Sequence, residues 1–113
     1  MYARNVTMHL KADKASEFTN KLETDVLPIL RRQPGFKDEI TFLAADRDEA
    51  VAISLWDRQE SADAYSRETY PTVLQKLSSV VEGTPKVQSF EVANSTFHKV
   101  AAQGQNPNQP SAR

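Results

Sequence analysis

The sequence predicts an α+β fold of order β-α-β-β-α-β, the ferredoxin-like arrangement with both helices on one face of a four-stranded antiparallel sheet. Three observations carry this. Residues 2–10 alternate apolar and polar, the period of a half-buried strand. Residues 36–56 read as a hairpin of two apolar strands about the charged turn Asp46-Arg47-Asp48-Glu49. Two stretches with helical spacing, each interrupted by a proline, flank that hairpin.

In the first strand Tyr2, Arg4, Val6, Met8 and Leu10 share one face, and Ala3, Asn5, Thr7 and His9 the other. Asp13 stands where a helix N-cap is expected, and Ala15, Phe18, Leu22, Val26 and Ile29 form the stripe that follows. Pro28 predicts a kink, or a break and one short turn through Arg32, because it cannot donate to the Thr24 carbonyl. Pro34-Gly35 ends the helix. In the hairpin Phe36, Ile40 and Phe42 share parity against Leu43 and Ala45, while Val51, Ile53 and Leu55 oppose Ala52, Ser54 and Trp56. Both faces of the sheet are then apolar and both need cover. Helices supply one cover and a second copy of the chain the other, making a dimeric α+β barrel and hence a homodimer.

Ser61 is the expected N-cap of the second helix, whose stripe runs through Ala62, Tyr65 and Thr69. Tyr70-Pro71 interrupts, and Val73, Leu74 and Leu77 resume the stripe. Gly83 and Pro85 are expected to close it. The last strand is read from Lys86 to Lys99, with a bulge, or a swing from one sheet to another, between Val92 and Phe97 where the parity changes. Beyond it, AAQGQNPNQPSAR holds no apolar residue larger than alanine, so residues 1–99 are read as the domain and 100–113 as a flexible polar tail.

The 113 residues are 39% hydrophobic and 26% charged with a net charge of −1, which excludes a general attraction to nucleic acid or anionic membrane. No apolar run approaches the ~20 residues of a spanning helix, and MYARNVTMHL is too polar for a signal-peptide core. With no cysteine there is no thiolate ligand or thiol nucleophile, and a cytoplasmic location is expected. Neither a glycine-rich phosphate loop nor a metal-ligand spacing occurs, so no metal and no cofactor are expected.

LPILRRQPGF at the first helix end, the strand exit VAISLWD, the following SADAY and the closing VEGTPKVQSFEV resemble the antibiotic biosynthesis monooxygenase (ABM) domain family. The likeness covers Tyr2 to about His98. It implies the dimeric barrel and, for part of the family, cofactor-independent oxygenation of quinols or polyketide aromatics. Another branch degrades haem with a strand Asn, a helix Trp and an iron-ligating His. At those places this chain has Val6 (Asn5 turns to the opposite face), Tyr65 and Gln75, which argues against haem degradation.

Tyr65, Tyr70 and His9 are the candidate catalytic residues, as phenols to hold an oxyanion and an imidazole to act as base. Trp56, Phe18, Phe42 and Gln75 are the candidate contacts to a small apolar or aromatic molecule. Trp56 and the tyrosines also suit plain core and rim positions. Two functions follow: a cofactor-independent monooxygenase of an electron-rich aromatic, or a non-catalytic dimer that binds such a molecule.

Overall fold

A computed structural model describes residues 1–98. The chain runs through β1 (Tyr2–Leu10), α1 (Ala15–Lys21), a π-helical stretch (Leu22–Val26), α2 (Leu27–Arg31), β2 (Phe36–Ala44) and a 3₁₀ turn (Ala45–Arg47). It continues through β3 (Glu49–Trp56), α3 (Gln59–Glu68), α4 (Tyr70–Leu77) and β4 (Val81–Glu91). All strand pairs are antiparallel, in the order β2-β3-β1-β4. This is the ferredoxin-like α+β sheet, its helices packed on one face over a core that includes Met8, Leu10, Phe18, Trp56 and Val80. Among the described residues no helix is long and apolar enough to cross a membrane. The domain end expected at residue 99 and the tail 100–113 lie outside the described residues.

Several local expectations are corrected. The first α-helix is interrupted before Pro28 and resumes as one short turn capped by Arg32, as expected, but the interruption is a π-helical stretch. Pro28 sits in the first turn of α2, and the wide π turn just before it, in which Leu27 N–H donates to Leu22 C=O, moves the backbone that the proline ring would crowd. Asp13 is not an N-cap; it adopts φ +60° and the helix opens one residue later, after Lys14. Ser61 is not one either, since α3 starts at Gln59 behind an extended Arg58.

Gly83 and Pro85 lie inside β4, whose register against β1 slips between Thr7 and His9. Gly83 supplies the positive φ of that bulge (+71°), and Pro85 falls where no ladder N–H is required. Phe97 is not in a strand. It is 88% exposed, its N–H and that of His98 donating to Ser95 Oγ.

One correction changes the site. The register of β2 on β3 slips between Phe36 and Asp38, so Lys37 is an extra residue. Phe36 faces the helices beside Trp56, whereas Ile40 and Phe42 face away from them, and Glu39 and Thr41 turn inward. The sheet's other face is left open, with Ile40, Phe42 and Phe90 each about half exposed.

Candidate active site

The turn at Pro34-Gly35 anchors the hairpin under α3. Gly35 has φ +80°, and a Cβ there would overlap Ser61 Oγ and Asp57 Oδ1. Asp57 N–H donates to Gly35 C=O at 2.8 Å, and Ser61 holds the Asp57 carboxyl below its usual range. From this point an aromatic series runs inward. Phe36 meets Trp56 edge to face at 5.6 Å, Trp56 lies 5.0 Å from Tyr65, and Tyr65 lies 6.1 Å from Tyr70. Trp56 is fully buried and its indole N–H donates to Ser54 Oγ at 2.9 Å.

Tyr65 and Tyr70, five residues apart, would diverge on one continuous helix. The chain breaks at Thr69 instead. Thr69 N–H closes on Tyr65 C=O at 2.9 Å, its hydroxyl donates to Gln33 Oε1 at 3.1 Å, and Pro71 sits in the first turn of α4, where a missing N–H is harmless. The restart swings the Tyr70 ring back beside Tyr65.

Both phenols border a cavity between sheet and helices. It holds about 460 Å³ of unfilled space including its open mouth, enough for one small ring. Its walls are apolar, with Leu22, Val26 and Leu30 from the first helix and Val73, Leu74 and Leu77 from α4. Its floor is the inward face of β1, β2 and β3, where Val6, Met8 and Ala52 surround the polar residues Arg4, Ser54 and Glu39.

Arg4 is the unusual member. It is 3% exposed, and its guanidinium carbon lies 4.4 Å from the Tyr70 ring centre and 5.1 Å from that of Tyr65. Among the described residues no carboxylate oxygen comes within ion-pair distance of it. Arg4 Nε and the Tyr70 hydroxyl are buried without a hydrogen-bond partner. Arg4 is thus a buried cation beside two ring faces, with the Tyr70 hydroxyl within its reach, and its Nε donor is free for an anion. Burial pushes the Tyr65 phenol up to about 12 and raises that of Tyr70, with the Arg4 charge opposing both. At neutral pH both are therefore proton donors. Glu39 is half-buried; burial raises its carboxyl above the usual value, and a hydrogen bond from Thr41 offsets part of the rise.

The other expected residues fall elsewhere. His9 is exposed on the open face of the sheet, away from the cavity. Phe42 lies on that same face because of the β2 bulge. Gln75 is exposed on α4 and does not line the cavity. Phe18 and Trp56 are fully buried outside its lining. Asn5 faces away and Val6 inward, as the alternation implied. Among the described residues no three His, Cys, Asp or Glu side chains cluster. Arg4 and Glu39 were not singled out from the sequence, although the alternation of β1 already put Arg4 on the core face.

The antibiotic biosynthesis monooxygenase family matches residues 1–76, a span that holds every polar residue of the cavity. The chain belongs to that family. No curated protein matches it. Solved structures share the fold at low identity. NE2512, a protein of unknown function from Nitrosomonas europaea, has a TM-score of 0.71 and 11% identity over 84% of this chain and 91% of its own. A monooxygenase from the gene ActVA-Orf6 of Streptomyces coelicolor, in complex with Nanaomycin D, scores 0.70 at 16% identity over 83% and 88%. SnoaB, a cofactor-independent oxygenase from Streptomyces nogalater, scores 0.67 at 18% identity over 84% and 95%. At these identities the structural likeness speaks for the fold, and within the ABM family the residues of the cavity must carry the chemistry.

Proposed function

We propose that this ABM-family chain is a monooxygenase of a small electron-rich aromatic, a quinol or polyketide-like ring, and that it works without a cofactor as a homodimer. The observation that carries the reading is the buried Arg4 guanidinium, without a carboxylate partner among the described residues and flanked by two phenols in a mostly apolar cavity. An ionised phenol is the electron donor that dioxygen needs. Its charge would be held by Arg4 and by the Tyr70 hydroxyl, in a site dry enough for those interactions to be strong. Tyr65, protonated up to about pH 12, orients the guanidinium through its ring. The size of the cavity favours a single small ring over a larger polycycle. The half-exposed Ile40, Phe42 and Phe90 on the open face support pairing with a second copy.

The test is oxygen uptake by the purified protein with a panel of quinols, against anaerobic binding of the same compounds. Saturable, oxygen-consuming turnover supports the reading. Saturable binding with no oxygen uptake refutes it and favours a binding protein.

A further inference from the structure

We propose that Glu39 is the general base of this site, taking the remaining hydroxyl proton of a para-quinol whose other oxygen, already ionised, rests on Arg4 and Tyr70. The inference rests on the oxygenase reading and names its substrate class.

The strand register supplies the geometry. Glu39 on β2 pairs with Ser54 on β3, and Ser54 pairs with Arg4 on β1, so the three form one row across the floor of the cavity. Glu39 and Arg4 are two strands apart, about 10 Å between backbones, and the residue between them is a serine. A flat ring can lie over Ser54 with the carboxylate at one edge and the guanidinium at the other. Two oxygens placed para to each other reach both ends; two adjacent oxygens reach only one.

Among the described residues Glu39 is the sole carboxylate lining the cavity. The Thr41 hydroxyl, two residues along the same face, donates to Glu39 Oε2, which orients the group and leaves Oε1 for a ligand. No cation pairs with it among the described residues. The titratable or charged groups facing it are Arg4 from β1 and Tyr65 and Tyr70 from α3 and α4; the helix walls opposite are apolar. A carboxyl lifted by burial is a better base towards a phenol than an exposed one.

The chemistry balances with dioxygen as the only co-reactant. The quinol binds as its monoanion on Arg4, Glu39 accepts the remaining hydroxyl proton, and the ring reduces dioxygen at an unsubstituted carbon, forming a C–O bond. Loss of the ring hydrogen with cleavage of the O–O bond then gives the hydroxyquinone anion. One oxygen atom enters the ring, the other leaves as water, and the Glu39 proton departs with that water.

The experiment compares wild type, Glu39→Gln and Thr41→Val with hydroquinone and with catechol, following oxygen uptake against pH and anaerobic binding. Wild type should turn over hydroquinone in preference to catechol. Glu39→Gln should bind hydroquinone as wild type does yet lose about 10²–10⁴ in kcat/KM, along with the acidic limb of the pH profile. Thr41→Val should keep that limb but move it to higher pH, because a hydrogen bond to the ionised carboxylate is gone. Wild-type turnover with an unchanged rate and limb in Glu39→Gln, an unmoved limb in Thr41→Val, or equal use of catechol overturns the assignment alone. Absence of wild-type turnover overturns it together with the oxygenase reading.

Discussion

Replacing Arg4 with Met should make the protein more stable and less active, an uncommon pairing for a core substitution. Burying an ion costs several kcal/mol even after relaxation. In return the Arg4 guanidinium has two ring faces, each contributing about 1–2 kcal/mol when desolvated, and among the described residues no carboxylate. Methionine keeps most of the stem's packing and leaves no charge to solvate. The net expectation is a gain of about 1–3 kcal/mol, or roughly 4–8 °C in Tm for each kcal/mol in a domain of this size. Urea denaturation of the ligand-free protein at neutral pH measures the gain, and quinol oxidation should fall about 10²–10³-fold. A loss of stability above about 1 kcal/mol would show that Arg4 is already satisfied in the empty protein, and the reasoning that reserves it for a ligand would fail.

Three further outcomes follow from the same structure. Because burial lifts the Glu39 carboxyl above its unfolded value, the folded state holds that proton more tightly and loses stability as pH rises through the raised pKa. Glu39→Gln should therefore melt higher than wild type at neutral pH, with the difference closing as pH falls below the ordinary glutamate range; a constant difference across pH would contradict this. Gly35→Ala should cost about 2–4 kcal/mol, combining a positive φ with overlap on Ser61 and Asp57, and a change under about 1 kcal/mol in urea titration would argue against that packing. Sedimentation at micromolar concentration should give a dimer for wild type and a monomer for the Ile40→Lys, Phe42→Lys double variant. A wild-type monomer would remove the second copy from the account.

The order of elements was legible because both periods are long and clean. Nine residues of alternation in β1 and the stripe from Ala15 to Ile29 do not depend on any one position. Tyr65 and Tyr70 were legible as candidates, but their meeting depended on a helix restart whose angle no spacing encodes. Pro28 signals a kink, or a break and one short turn, but not the π turn that precedes it, which is a backbone adjustment without a residue signature. Glu39 was hidden by a single extra residue. Unbroken alternation from Phe36 keeps Phe42 with Phe36 and puts Glu39 on the other side from both, and only the bulge at Lys37 reverses which of them meets the helices. The pattern that did predict Arg4 inward was passed over because an arginine among apolar neighbours is more often at an edge than beneath two rings. Phe42 lies on the sheet face that the cavity does not use because of the same bulge, and His9 lies there by the unbroken alternation of β1.

The central claim is that the Arg4 cavity uses dioxygen to oxidise an ionised aromatic. Its most direct test is the stoichiometry of oxygen uptake with hydroquinone under single-turnover conditions, in wild type and Arg4→Met. The account predicts one dioxygen consumed and one oxygen atom incorporated per ring, detected with labelled dioxygen by mass spectrometry, and almost none in the variant. Unlabelled product, or equal incorporation with and without the guanidinium, would contradict it.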